Sequence, residues 1–184
     1  AFLIFDEVQT GVGLTGKFWC HEHFSEAARP DIVAFGKKMQ VCGILVGKKV
    51  DEIETNVFNV PSRINSTWGG NLVDMVRSTQ ILNILHEDKL CENAQEVGNY
   101  LQQSLAQLAQ KHDKMSNVRG RGLLTAFDFP TGEMRNAFVQ KGMQNNVMFL
   151  GCGSQTIRFR PALCIEKKHI DLGMEVMEKI LPTL

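Results

Sequence analysis

At 184 residues the chain is long enough to bury a real core, as one large domain or two small ones. Its 20 basic and 20 acidic residues cancel, which removes the field that would steer it to nucleic acid or to an anionic membrane. No apolar run approaches the roughly 20 residues that span a bilayer. Cys20, Cys42, Cys91, Cys152 and Cys164 are odd in number and never spaced Cys-x-x-Cys, the pattern of reduced thiols in a cytoplasmic protein.

The opening AFLIFDE reads as a buried strand over residues 1–5, and apolar runs at 32–35, 43–47 and 57–60 continue the theme. They are short and nearly continuous, as expected of strands covered on both faces. An opening strand needs neighbours for its ladder hydrogen bonds, so the chain is expected to be the C-terminal part of something longer. Helices dominate the middle. Residues 70–87 carry Leu72, Met75, Val76, Ile81, Leu82 and Leu85. After a break near Glu87-Asp88, Leu90, Ala94, Val97, Leu101, Leu105 and Leu108 recur in steps of three and four, which marks an amphipathic helix. Beyond Met115-Ser116-Asn117 the pattern changes. LLTAFDF reads as a half-exposed strand, VRGRG as a glycine-assisted entry to it, RNAFVQKGMQ as a helix, and NVMFL and TIRFR as strands. A last helix carries Ile170, Met174, Met177 and Leu181 on one stripe. This is an α/β chain in two parts: residues 1–85, part of a larger sheet domain with a connecting helix, and residues 86–184, a small α+β domain.

Several local patterns suggest chemistry. GVGLTGK, Gly11 to Lys17, matches two phosphate-loop patterns, but Phe18 stands where a magnesium-binding hydroxyl belongs. DEVQT also separates the loop from its strand, so a flexible loop is expected. CHEH, Cys20 to His23, packs a thiol, two imidazoles and a carboxylate into four residues. Metal ligands usually converge from separated positions, so these are expected at the surface and no metal site is predicted. FDEVQ places two carboxylates directly after a buried strand, where α/β proteins gather ligands. A second strand, DIVAF, also ends in charge at Gly36-Lys37-Lys38. If the two strands share a sheet, Asp6 and one of the lysines meet at its edge. That pair suits pyridoxal 5'-phosphate: the carboxylate holds the pyridine nitrogen protonated, and the amine engages the aldehyde and then shuttles protons. Lysine suits the task because its pKa falls readily in a dry, positively charged site.

With these residues in view, LIFDEVQTGVGLTGKFW, PDIVAFGKK, NSTWGGN, VRGRGL and IRFRPAL together resemble the class III (ω-amino acid) pyridoxal-phosphate aminotransferases, and the resemblance covers essentially the whole chain. Within the class, FGKKMQVCG and VPSRINSTWGGNLVDMVR are most similar to lysine 6-aminotransferases. 4-Aminobutyrate aminotransferases share DEVQTG and GKFW. The resemblance implies the C-terminal portion of a fold-type I transferase, acting as a homodimer with shared active sites. It implies transfer of a terminal amino group, the ε-amine of lysine, to 2-oxoglutarate. A 4-aminobutyrate or ornithine aminotransferase is the alternative within the class, and a truncated, non-catalytic dimerisation module the alternative outside it.

The same resemblance implies roles by position. Asp6 pairs with the pyridinium nitrogen, Val8 packs on the ring face, and Gln9 reaches the ring-hydroxyl side. Lys37 is the Schiff-base lysine, and Lys38 occupies the variable position behind it. Thr67, helped by Ser66, reaches the cofactor phosphate of the neighbouring subunit, and Asn65 lines the same edge. Arg158 resembles the arginine that turns to the distal carboxylate of 2-oxoglutarate through a bidentate fork, with Arg160 two positions on as the alternative. The family's phosphate loop, its cofactor-stacking aromatic, the arginine for the substrate α-carboxylate and the glutamate partner of the switching arginine all precede the DEVQ motif and are not in this chain.

Overall fold

IFD and IVAF lie side by side as parallel strands, β1 (Ile4–Asp6) and β2 (Ile32–Phe35), with Ile4 opposite Ile32 and Asp6 opposite Ala34. The third apolar run forms β3 (Gly43–Val46), antiparallel to β2, with Phe35 opposite Gly43. The structure, a computed structural model, describes residues 1–64 and 66–184. They divide into two compact units, Ala1–Gly13 with Lys17–Leu90, and Leu14–Gly16 with Cys91–Leu184.

In the first unit a carboxylate ties the start of the mixed sheet. Asp31 Oδ2 accepts from Leu3 N–H at 2.8 Å and from Lys49 Nζ at 3.0 Å. The Leu3 amide first, and then Lys49, hold the Asp31 carboxyl below the usual carboxylate range. The strands are not covered on both faces as the apolar runs suggested: Ile4, Ile44 and Leu45 are all exposed. Nor do residues 57–60 form a strand. Asn56 intervenes, donating from Nδ2 to the Val50 and Ile53 carbonyls and accepting from Phe58 N–H, so its side chain offers the backbone a turn instead of a ladder. Helix α1 (Leu72–Glu87) starts where Asn71 accepts from Val73 N–H at 2.9 Å. It buries Ser78 and Leu85 and leaves Leu72, Val73, Met75 and Val76 exposed.

The second unit follows its sequence pattern closely. Helix α2 (Leu90–Lys111) buries Ala94, Val97, Leu101, Leu105 and Leu108 on one stripe, as the spacing predicted. Strands β4 (Ser116–Arg121), β5 (Leu124–Asp128), β6 (Leu150–Cys152) and β7 (Thr156–Phe159) form an antiparallel sheet in the order β4-β5-β7-β6. VRGRG is thus mostly strand, and LLTAFDF holds a central strand in which buried Thr125 and Phe127 alternate with partly exposed Leu124 and Ala126. Helices α3 (Gly132–Gln144) and α4 (Lys167–Ile180) add Phe138, Ile170, Met177 and Ile180 to one apolar core with Phe127, Phe129 and Ile157. Gly98 makes a close approach possible: a Cβ there would lie 2.1 Å from the carbonyl carbon of Gly122, which itself takes the left-handed φ of 55° between β4 and β5. Among the described residues no helix is long and apolar enough to cross a membrane.

Candidate active site

Parallel pairing brings the C-terminal ends of β1 and β2 to one edge of the sheet. Glu7 N–H extends the ladder to the Ala34 carbonyl at 2.9 Å, so Asp6 emerges beside the C-terminal end of β2. Gly36 and Lys37 follow two and three residues after Ala34. A Cβ on Gly36 would lie 3.6 Å from Val8 Cγ1 and 2.9 Å from Cys42 Sγ, so a larger residue there would push Val8 and Cys42 away. Asp6 is exposed, and its Oδ1 accepts from Val8 N–H at 3.0 Å, which fixes the side chain against its own turn. Oδ2 has no hydrogen-bond partner among the described residues.

The paired lysines part company here. Lys37 is exposed, and its Nζ has no hydrogen-bond or ion-pair partner among the described residues. It opens a 3-10 turn, Lys37–Met39, at the left-handed φ of 49°, a conformation costing a non-glycine residue about 1–3 kcal/mol and found disproportionately at functional sites. Lys38 is half-buried, and its Nζ donates to the Gln9 carbonyl at 2.7 Å. The second lysine therefore laces the two strand-end segments together, and the first is left available for chemistry.

Glu7 carried no role in the sequence reading and is the best-anchored side chain of this edge. It is 2% exposed. Oε1 accepts from His21 N–H at 2.9 Å and meets His21 Nδ1 at 2.8 Å, and Oε2 accepts from Cys20 N–H at 2.6 Å and Thr10 Oγ1 at 3.4 Å. The CHEH segment is thus not simply surface: its first two amides and one imidazole bind the second carboxylate of DEVQ. The signal was present. On an extended backbone adjacent side chains alternate, so a carboxylate beside an outward Asp6 faces inward and requires donors. The GVGLTGK loop is not a loose turn either, because residues 11–15 are buried. Its Leu14 carbonyl accepts from Leu123 N–H at 3.0 Å, within the second unit.

The remaining expected residues divide. Ser66 and Thr67 are exposed in a turn closed by Gly69 N–H to the Ser66 carbonyl at 3.1 Å. Ser66 also lines a cavity of about 320 Å³ with Cys42, Trp68, Asn71 and Asp74, and with Gln40 and Val41 just after the Lys37 turn. Asn65 lies outside the described residues. Arg158 belongs to the second unit, half-buried in β7 between Ala126 of β5 and Leu150 of β6. Arg160 lies just beyond the end of β7 and is exposed, whereas Arg158 stands within the strand. Arg119 is structural: its Nη2 pairs with Asp128 Oδ1 at 3.0 Å. No cysteine is in a disulfide.

The chain is 47% identical over its whole length to the L-lysine-epsilon aminotransferase of Mycobacterium tuberculosis, of which it spans 41%. It is 37% identical, over 98% of its length, to a probable mitochondrial 4-aminobutyrate aminotransferase of Caenorhabditis elegans, of which it spans 36%. The solved lysine aminotransferase of M. tuberculosis superposes on the full chain with a TM-score of 0.94, this chain spanning 42% of that one. The sequence profile described as aminotransferase class-III matches residues 1–181. With the profile and the fold in agreement, the chain belongs to the class-III aminotransferase family.

Proposed function

We propose that the protein carrying this chain is a pyridoxal-phosphate aminotransferase that moves the ε-amino group of L-lysine to 2-oxoglutarate, as a cytoplasmic homodimer with shared active sites. Class-III aminotransferases are pyridoxal-phosphate enzymes. The observation that carries the reading is the juxtaposition at one sheet edge of Asp6, with an oxygen to spare, and Lys37, with its amine to spare. The donor set fits the cofactor. It offers an anion for a protonated ring nitrogen and a primary amine for an aldehyde, with an aliphatic side chain, Val8, close to the Lys37 turn. In this reading residues 1–85 end the cofactor-binding domain and residues 86–184 form the small domain.

When bound, the cofactor supplies an aldehyde for primary amines and a ring that accepts electrons. Asp6 would keep the proton on the ring nitrogen, Val8 would pack on the ring face, and Gln9 would hydrogen-bond the ring hydroxyl. Lys37 Nζ would hold the aldehyde at rest and, in turnover, carry the proton from the carbon bearing the donor amine to the carbon of the cofactor's aldehyde group. Ser66 and Thr67 would donate hydroxyl hydrogen bonds to the phosphate held by the neighbouring subunit, with Asn65 on the same edge. Arg158 would take the distal carboxylate of 2-oxoglutarate in a bidentate fork. Identity of 47% to a lysine aminotransferase against 37% to a 4-aminobutyrate aminotransferase supports lysine as donor.

Borohydride reduction of the full natural protein with bound pyridoxal phosphate, followed by peptide mapping, tests the assignment. The pyridoxyl mass is expected on Lys37, absent from Lys37→Ala and retained in Lys38→Ala. Its appearance on Lys38 overturns the assignment. Rates with L-lysine, ornithine and 4-aminobutyrate then test the donor, with lysine expected to be fastest.

A further inference from the structure

Asp6, Val8 and Gln9 leave one residue of DEVQ without a part in the proposed chemistry, and it is the one most heavily bonded. We infer that Glu7 is the positioning residue of the cofactor edge: its buried carboxylate sets where Asp6, Val8 and Gln9 stand, and so tunes how the bound cofactor ionises. The inference rests on the proposed cofactor reading and adds to it a residue that need not touch the cofactor.

The geometry makes the case. The Glu7 backbone is held on both sides, its N–H by the Ala34 carbonyl and its carbonyl by Gly11 N–H, each at 2.9 Å. Its carboxylate reaches the other way, to Cys20 N–H at 2.6 Å, His21 N–H at 2.9 Å, His21 Nδ1 at 2.8 Å and Thr10 Oγ1 at 3.4 Å. Cys20 and His21 open a 3-10 turn, so their amides have no partner within it, and an anion there is favoured. Aromatic rings close the site: Phe5 stands edge-on to His21 at 6.2 Å, and Trp19 stacks on it at 6.4 Å. In such a site hydrogen bonds to a charged acceptor are strong, and a missing acceptor is costly. The Cys20 and His21 backbone amides can only donate, so the carboxylate must accept from both.

One substitution follows from that inventory. Glu7→Gln keeps the length but replaces one acceptor oxygen with an NH2 group, which meets the donors of Cys20 and Thr10 or those of His21. Donor then faces donor, and the segment must shift. Because Asp6 and Val8 are bonded to the same residue, the shift passes to them through one peptide unit on each side. A residue that only stabilised the fold would lower the melting temperature and leave the properties of the bound cofactor alone.

The test uses the full natural protein, wild type and Glu7→Gln, with Asn56→Ala as a control for loss of stability. Asn56 is 8% exposed and holds a separate turn of the first unit. Two quantities are read well below the melting temperature: the dissociation constant for pyridoxal phosphate, and the pH midpoint of the bound cofactor's absorbance change. Glu7→Gln is expected to weaken binding by roughly tenfold or more and to move the midpoint by about half a pH unit or more, sizes typical of a lost charge-assisted hydrogen bond. Asn56→Ala is expected to move neither. If Glu7→Gln does not fold, His21→Gln, which keeps the backbone amide, is read in the same way and is expected to show the same shifts at smaller size. Wild-type binding and midpoint in whichever variant folds, whatever its melting temperature, overturn the inference. Absence of pyridoxal-phosphate binding by the wild type instead overturns the functional reading and the inference with it.

Discussion

In the second unit Phe138 stands 4.6 Å from Phe149, 5.1 Å from Phe129 and 6.0 Å from Phe127, ring to ring, and is fully buried. In the first unit Trp68 is 79% exposed and Leu72 81% exposed, with Val73 and Val76 beside them. Every residue of the buried apolar cluster falls in the second unit, which leaves only Met143, Met148 and Leu172 as large exposed apolar side chains among the described residues. The first unit buries Val12, Val33, Val50 and Leu85 apart from that cluster and carries polar fastenings: Asp31 across the sheet, Glu7 at its chemical edge, Lys38 between the two strand ends. One unit therefore closes its own core, while the other places reactive groups and leaves apolar surface for something else to cover. Contiguous exposed apolar surface marks association, which accords with the homodimer proposed above.

That contrast breaks most readily at its strongest point. Phe138→Ala should cost about 3–5 kcal/mol of stability, from lost transfer energy and a cavity among facing rings, read by urea denaturation with far-ultraviolet circular dichroism. A loss under about 1 kcal/mol would show that the ring cluster does not form the core. Next in size is Gly98→Ala, expected to cost about 2–3 kcal/mol because the new methyl would meet the Gly122 backbone rather than a movable side chain.

Asp128 sharpens the comparison by pH. Burial alone would raise its pKa, but hydrogen bonds from Thr156, Asn117 and Arg119 together outweigh burial and hold it below the ordinary carboxylate value. The folded state thus binds that proton less readily than the unfolded chain, where the pKa is about 3.9. Its contribution is complete above that pH and fades as pH falls through the lower folded value. Asp128→Asn should cost about 1–2 kcal/mol at neutral pH and flatten the loss of stability below about pH 4. Denaturation midpoints measured from pH 7 to pH 2.5 would reveal an unchanged acid slope if Asp128 played no part.

The smallest effect belongs to the first unit. Leu72→Ser with Val76→Ser should change the stability of this chain by less than about 0.5 kcal/mol each, since neither side chain is buried in it. The same pair should weaken self-association, measured by analytical ultracentrifugation. A large loss of stability without any change in association would contradict the reading of that surface.

Much of the second unit was legible because helix periodicity is a local signal. Leu101, Leu105 and Leu108 declare a buried stripe whatever lies beside them. Sheet position is not local: the alternation in LLTAFDF does not say that β4 and β7 lie on either side of it. The run at 57–60 has strand-like composition, yet the Asn56 side chain captures the backbone first. At the candidate site, Asp6 and a lysine after β2 could be named from their strand-end positions. Alternation also marks Glu7 as an inward carboxylate that needs donors, but which donors it finds is not legible, because Cys20 and His21 are 13 and 14 residues away.

The sequence by itself determined most of the element types, the strand-end placement of Asp6 and of the paired lysines, and, through several ordered motifs, the family. Those features depend on residue type and spacing along the chain. Only the tertiary structure decided that Asp6 and Lys37 share an edge, since that requires β1 and β2 to pair in parallel and in register. It also adds a local difference between the lysines that the resemblance had ranked: Lys38 Nζ donates to the Gln9 carbonyl at 2.7 Å, and Lys37 Nζ has no hydrogen-bond partner among the described residues. Hydrogen bonds between residues distant in sequence carry no spacing to read, so the folded chain is where they first appear.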